Sequence, residues 1–513
     1  MGNSSAYAMI QWACARIGAI LVTVNPAYRI DELITTLKLT SVSHLFVVPR
    51  IRTSSYLASL SAAISSLSSS SPHQIADPAL PSLRSLLVVN NLPETEDFTK
   101  ELTAVRAAVD FRDILVWDGP SLAPTSLQKD EVINIQFTSG TTGYPKGVCL
   151  THSNLLNNAL SIGDCMKLTP QDKLCNVPPL FHCFGLVLGN LAAWVYGSCI
   201  VYPSQIFNPV AIVDTLHDEK CTALHGVPTH FLGVLSEVQN RRRANIDVDL
   251  SSLRTGIAAG SPIPIELMRK LINEMNLRDL TIAYGMTETS PVSFQTRTTD
   301  TVVQRVETVG QASPHVQAKI IDPFSGSTSP VPVGVPGELC VAGYLLQKGY
   351  WNDIEQTQDV MKTHDDTTLW MHTGDQGVID EEGYLRIVGR IKDIIIRGGE
   401  NLYPVQIENV LVSHPKIREA SAVSVPDEKF GEVVGAWVVR ETTDTSAPEL
   451  TREEVRMWVW NGMNPQNAPT WVWFVGEDCP ETELPKTASG KVQKNILRDW
   501  SKTLASKGIG LVS

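Results

Sequence analysis

The 513-residue sequence contains no CxxC pair: its nine cysteines, at 14, 149, 165, 175, 183, 199, 221, 340 and 479, are scattered and odd in number. That spacing fits neither a disulfide framework nor a zinc site, and points to a reducing compartment. No apolar run reaches the roughly 18 residues of a spanning helix, so no integral membrane segment is expected. Met1 to Ser5 lacks the basic and apolar pattern of a signal peptide. Positive charge is in deficit, with 42 Lys and Arg against 54 Asp and Glu and a net charge of -12. Nucleic acid is therefore excluded as the main partner, because its phosphates would be repelled. Internal repeats are missing too. What is present is an ordinary globular composition, 43% hydrophobic and 19% charged, on a chain too long for one core, so two or more domains are expected.

YAMIQWACARIGAILVTVNP, from Tyr7, reads as an amphipathic helix, a stop at Gly18 and a buried strand. In an alternating α/β fold a strand comes before such a helix, so a missing N-terminal piece is expected. SSYLASLSAAISSLSSSS, from Ser54 to Ser71, reads as a low-complexity surface insertion or partly disordered loop. From Leu86 onward β-branched runs (SLLVVN, DILVWD, VINIQFTSG) alternate with helical segments (LTHSNLLNNAL, FNPVAIVDTLHDE, IPIELMRKLINEM). That alternation predicts a parallel sheet covered by helices. After about residue 310 Pro and Gly cluster in DPFSGSTSPVPVGVPGELCVAG, which implies a β-rich subdomain. Past Gly398 and Gly399, Pro404 marks a helix start, and ASAVSVPD, GAWVVRE and TWVWFVGE predict strands of a small α+β module.

FTSGTTGYPKGV, at 137–148, has the small hydroxyl residues, glycines and single lysine of a backbone cradle for phosphate. It is not the P-loop GxxxxGK[ST], since Pro145 precedes Lys146 and Gly147 follows it. Four further stretches follow in order: IAYGMTETSP at 282–291, HTGD at 372–375, GRIKDIIIRGGE at 389–400 and PKTASGKVQK near the end. Together these resemble the adenylate-forming superfamily of acyl-CoA synthetases, adenylation domains and luciferases, over essentially the whole chain. In texture the hinge stretch is similar to fungal and medium-chain acyl-CoA ligases.

The resemblance implies an α/β fold: a large N-terminal domain of layered α/β subdomains with a β-rich subdomain, then a small mobile α+β C-terminal domain. Residues 1–390 would be the AMP-binding domain with an incomplete N-terminal part, 391–397 the hinge, and 398–513 the mobile domain. It also implies two steps, in which a carboxylate attacks the α-phosphate of ATP to give acyl-AMP and pyrophosphate, and a thiol then displaces AMP. ATP, Mg2+ and CoA are the implied cofactors. Bringing two anions together needs cations and pre-aimed donors.

Carried over residue by residue, Thr138, Ser139, Gly140, Thr141, Thr142, Gly143, Tyr144, Pro145 and Lys146 would wrap the β- and γ-phosphates. Glu288 would hold Mg2+, Thr287 the α-phosphate, and Tyr284 the adenine, within a nucleotide-binding stretch that includes Ala283, Gly285 and Met286. Gly260 and Ser261 match the segment lining the adenine pocket. Asp375 would accept hydrogen bonds from the ribose hydroxyls, with Arg390 reaching the ribose or phosphates. Lys491 would carry the adenylation step, Lys392 the hinge, and Gly398, Gly399 and Glu400 the passage for pantetheine. His182 would orient the carboxylate, and His230 stands in a pocket-lining segment where relatives often carry methionine.

Taken alone, each motif has a plainer reading: a Ser/Thr/Gly run is usually a solvated loop, a TE pair a helix cap, and a lysine in a loop merely solvated. NGMNPQNAPTWVWFVGED departs from the basic stretch usual at that place and puts the acceptor of the acyl group in question. Three readings therefore stay open. They are a ligase of a medium-chain or aromatic acid with CoA, an acyl-AMP ligase that loads a carrier-protein pantetheine, and a truncated nucleotide binder without turnover. The expected place is intracellular, either cytoplasmic or peroxisomal/mitochondrial.

Overall fold

In the computed structural model, which describes residues 1–116, 126–138, 145–260, 263–441, 449–487 and 491–512, the first helix begins where Ser4 accepts a hydrogen bond from the Tyr7 N–H. It runs Ser5–Ile17 and stops at Gly18, whose φ of 76° is cheap only for glycine. The strand Leu21–Thr23 follows and lies parallel to Val132–Thr138, which pairs antiparallel with Lys146–Thr151. Gly349–Tyr350 completes this four-stranded sheet.

A seven-stranded sheet carries the next layer. Cys199–Val201, Lys173–Asn176, Ala223–Gly226, Thr255–Ala259 and Asp279–Gly285 are parallel, and Val292–Gln295 and Gln311–Ala312 join antiparallel. The three expected helical segments form His152–Met166, Pro209–Asp218 and Ile265–Met275. Leu155, Ile162, Leu174, Val187 and Ile257 close the core between them. A three-stranded parallel sheet, His44–Val47, Ser85–Val88 and Ala108–Asp110, forms a separate layer.

Two sequence expectations fail in that layer. Ser54 to Ser71 is not a surface insertion: it contains the helix Tyr56–Ala63 and a 3-10 turn at Ser65–Ser68. Leu57, Leu60, Ile64 and Leu67 are at most 2% exposed and share one core cluster: Leu57 and Leu60 lie on one face of the helix, and Ile64 at its end and Leu67 in the 3-10 turn continue the spacing of three and four. Asp113 to Val116, the described part of DILVWD, is not a strand either. The strand ends at Asp110, whose carboxylate accepts the Arg112 N–H at 2.9 Å and opens the 3-10 turn Phe111–Leu115.

The chain separates into two units, Met1–Val306 with Gly310–Val316 and Ala342–Lys362, and Glu307–Val309 with Gln317–Val341 and Thr363–Ser513. In the second, residues 337–341 of the strand Gly337–Gly343, with Leu369–Ile379 and Leu385–Arg390, pair antiparallel, the β-rich portion expected from the Pro/Gly texture. Further on, Glu400–Leu402, Ile395–Arg397, Gly431–Arg440 and Ile417–Asp427 make a sheet, to which Trp471–Phe474 adds a parallel strand. The helices Pro404–Val412, Arg452–Gly462 and Lys494–Ala505 complete this small α+β part. The α/β class expected from the sequence is the class observed. Among the described residues no helix is long and apolar enough to cross a membrane.

Candidate active site

Lys146 opens the strand after the expected phosphate loop, in register with Thr138 at the end of the strand before it. Ser139, Gly140, Thr141, Thr142, Gly143 and Tyr144 lie outside the described residues, as does Ser261. Thr138, Pro145 and Lys146 are described. The Lys146 ammonium hydrogen-bonds to Gln356 and lies 5.1 Å from the ring centroid of Tyr350. A cavity of about 260 Å³ beside it is lined by Phe137, Tyr350 and Trp351 among others, which is small for a nucleotide.

Tyr350 links this lysine to the TET turn. Its hydroxyl donates to Glu288 Oε1 at 2.9 Å, and burial first, then the Glu288 charge, raises its pKa far above the ordinary tyrosine range. Glu288 is 6% exposed and makes no ion pair among the described residues. Burying a carboxylate without a cation is costly. Its donor set, hard oxygen beside a hydroxyl, therefore fits a bound Mg2+.

The turn is fixed from several sides. Strand Asp279–Gly285 delivers the chain to Thr287–Thr289, and a Cβ on Gly285 would lie 1.8 Å from the Pro291 carbonyl, so only glycine fits. Thr289 Oγ1 accepts the Met286 N–H at 3.1 Å and donates to the Pro291 carbonyl at 2.7 Å. Asn158, buried on the helix His152–Met166, exchanges two hydrogen bonds with the Val292 backbone, at 2.8 and 3.1 Å. The Gln347 N–H donates to the Glu288 carbonyl at 2.9 Å. Ala283, Tyr284, Gly285 and Met286 thus sit on one rigid run, with Tyr284 edge-on to Phe294 at 6.4 Å.

His182 is half-buried, and its Nδ1 accepts the Phe184 N–H at 3.2 Å. Its neighbour Cys183 brings Sγ to 3.8 Å from Thr287 Oγ1, so the His182 loop adjoins the TET turn. Gly260 has a φ of 90° directly after Thr255–Ala259. His230, on the helix Pro228–Arg243, stacks on Phe207 at 4.5 Å, and burial pushes its pKa down to about 4.

In the second unit Asp375 lies opposite Arg390, with Arg390 Nε donating to Asp375 Oδ1 at 3.0 Å. Lys392 sits in the 3-10 turn Ile391–Asp393, where Arg498 pairs with Asp393 and donates to the Lys392 carbonyl at 3.3 Å. Gly398 and Gly399, at φ of 59° and 90°, form the tight turn between Ile395–Arg397 and Glu400–Leu402. Glu400 accepts from Gln466 at 3.2 Å. Lys491 is exposed, and its backbone exchanges bonds with Thr487, the N–H to Oγ1 at 3.2 Å and the carbonyl from N–H at 2.8 Å.

The tryptophan-rich, acidic stretch that cast doubt on the acceptor is largely spent internally. Trp471 and Trp473 stack at 6.1 Å, and Trp473 stacks on Trp437 at 5.2 Å. Glu477 pairs with Arg440 and Arg452, and Asp478 with Arg452. A second donor cluster, Glu338, Cys340 and His372, has ligand-type atoms within 4.8 Å of one another. Glu338 and His372 are already hydrogen-bonded to each other at 2.9 Å.

Residues 1–351 match the family model described as AMP-binding enzyme, and 406–491 match its C-terminal domain. The chain belongs to the AMP-binding enzyme family. Relatives of this AMP-binding enzyme include the acyl-CoA ligase SID4 of Ajellomyces capsulatus, 41% identical over 99% of the chain and 82% of the relative. The human mitochondrial medium-chain acyl-CoA ligase ACSF2 is 36% identical, over 97% and 77%. The ATP-bound crystal structure of MatB from Rhodopseudomonas palustris superposes with a TM-score of 0.78 at 27% identity, covering 98% of this AMP-binding enzyme and 88% of that chain. The relatives place it in the acyl-CoA ligase branch.

Proposed function

We propose that this AMP-forming acid–thiol ligase activates a medium-chain or aromatic carboxylic acid with ATP and passes the acyl group to CoA. The observation that carries the reading is the chain Lys146–Tyr350–Glu288, a cation and a buried carboxylate without an ion pair among the described residues, joined through one tyrosine. Such a pair suits a polyphosphate: the ammonium draws phosphate oxygens, and the carboxylate holds the counter-ion. When bound at Glu288, Mg2+ would supply neutralisation of phosphate charge.

Lys146 stabilises pyrophosphate as it leaves. Thr287, on the same turn as Glu288, donates to an α-phosphate oxygen. Asp375, oriented by Arg390, accepts the ribose hydroxyls and so sets where the α-phosphate lies. Lys491 contacts the attacking carboxylate and the α-phosphate as negative charge accumulates. The carboxylate oxygen bonds to the α-phosphorus while the bond to the bridging oxygen of pyrophosphate breaks. In the second half-reaction the thiolate bonds to the acyl carbon and AMP departs. A swing of residues 398–513 about 391–397 around Lys392 exposes the acyl carbon to pantetheine along Gly398, Gly399 and Glu400.

The test is exchange of labelled pyrophosphate into ATP with a panel of carboxylic acids, followed by trapping with CoA or a carrier protein. Acid-dependent exchange and acyl-CoA release are expected. Lys491→Ala should lower acyl-AMP formation by about a hundredfold or more while thioesterification from supplied acyl-AMP changes little. Transfer to the carrier alone would favour the carrier-loading reading, and ATP-dependent thermal stabilisation without exchange would favour a nucleotide binder.

A further inference from the structure

The strand register shows that Thr373-Gly374-Asp375 is a bulge. Glu338 lies opposite Gln376 and Cys340 opposite His372, so three residues of one strand face Leu339 alone. Such a mismatch leaves backbone groups that the ladder cannot pair. They are satisfied locally. Thr373 Oγ1 donates to the Leu339 carbonyl at 2.8 Å, and the Asp375 N–H donates to Thr373 Oγ1 at 3.1 Å. The Gly374 N–H donates to Glu338 Oε1 at 3.2 Å, with Gly374 at a φ of 69°.

Glu338 also faces the other way. Its Oε2 is 2.9 Å from His372 Nδ1, and His372 Nε2 is 3.0 Å from His364 Nε2. Glu338 is 8% and His364 5% exposed. The tautomers follow from these partners. A ring nitrogen against a carboxylate carries the proton, so neutral His372 is bare at Nε2 and accepts from His364 Nε2–H. His364 is then bare at Nδ1, a buried atom without a hydrogen-bond partner among the described residues. An unmatched lone pair is tolerated better than an unmatched N–H. Burial first, then the Lys319 charge, depresses the His364 pKa against the opposing pull of Asp366 and Asp365, consistent with a neutral ring. Trp370 stacks on that ring at 5.9 Å and holds it. The hydrogen bonds therefore run in one direction from His364 through His372 to Glu338, and Gly374 meets them from the bulge.

We infer that Glu338, His372 and His364 are positioning residues, a hydrogen-bonded chain buried at both ends that holds the 373–375 bulge so that the Asp375 carboxylate is aimed at the nucleotide ribose. This rests on the proposed reading of Asp375. The charge on Glu338 matters because both of its oxygens are used: one fixes the bulge, and the other is fixed by His372.

The experiment compares pyrophosphate exchange with ATP and with 3′-deoxy-ATP for the full chain and its variants. The unaltered protein prefers ATP, and Asp375→Ala removes that preference. Glu338→Ala should lower the preference by about tenfold, mainly through KM for ATP. Glu338→Gln, which keeps an acceptor for Gly374 but not the charge, should restore part of it. Leu60→Ala, in the separate three-stranded layer, should lower the melting temperature without changing the preference, which separates aim from stability. Should Glu338→Ala not fold, His372→Asn carries the same expectation. Retention of the full preference in Glu338→Gln and His372→Asn, where Asp375→Ala has lost it, overturns the inference. A preference unaffected by Asp375→Ala overturns instead the ribose reading beneath it.

Discussion

Tyr350 shows how a residue can be central to a site and invisible in its motifs. The stretches around Lys146 and Glu288 stand out by composition, whereas a tyrosine in KGYW reads as one more core aromatic. Only the antiparallel register, Tyr350 against Val148, brings its ring under the Lys146 ammonium and its hydroxyl to Glu288. Sequence spacing carries no information about such a pairing until the sheet is known. Glu338 and His364 are hidden in the same way, legible only through the bulge they support. Because the Tyr350 hydroxyl is hydrogen-bonded to a charged acceptor, its loss is worth about 1.5–3 kcal/mol. Tyr350→Phe keeps the ring over Lys146 and removes only that bond. Initial rates of pyrophosphate exchange should show KM for Mg·ATP raised about tenfold with kcat changed far less. An equal fall in kcat at saturating nucleotide would assign Tyr350 to the chemical step instead.

At the scale of elements, periodicity was the reliable signal and composition the misleading one. His152–Met166 and Ile265–Met275 were legible because apolar residues recur on one face, and the glycine pair before Pro404 marked a turn and a helix start that the chain indeed makes. Ser54 to Ser71 misled because serine dominates it, although Leu57, Leu60, Ile64 and Leu67 keep a helical period throughout. DILVWD misled in the opposite sense: β-branched content suggested a strand, while the Asp110 cap had already turned the backbone. If the serine-rich segment is core, its leucines must carry core energies. Leu60 is 0% exposed and packs within the layer built on His44–Val47 and Ser85–Val88, so Leu60→Ala should lower unfolding stability by about 2–5 kcal/mol. Urea denaturation reads this directly, and a loss below about 0.5 kcal/mol, usual for a surface site, would return the segment to the status of a loop.

For the whole molecule, the distribution of buried histidines sets an acid limit. His225, 0% exposed, is clamped by the Leu188 carbonyl at 3.0 Å and the Ile257 N–H at 3.1 Å. Burial pushes its pKa down from 6.5 to about 4, and that of His230 likewise. The sign follows from where protons bind. As pH falls below about 6.5 the unfolded chain takes up protons that the folded chain refuses, so stability is complete above that pH and declines toward pH 4. At about pH 5 each such group costs about 2 kcal/mol. Both histidines belong to the unit that contains Met1–Val306, so the loss should fall on that unit's transition, and one melting temperature for the chain would misrepresent it. Denaturation at about pH 7.5 and about pH 5 should therefore show that transition weakened in acid. His230→Met, which cannot take up a proton, should recover part of the difference, since His225 and the depressed His152 remain. An acid loss unchanged in that variant would mean that His230 protonates as readily in the folded state, and that its place against Phe207 is open to water.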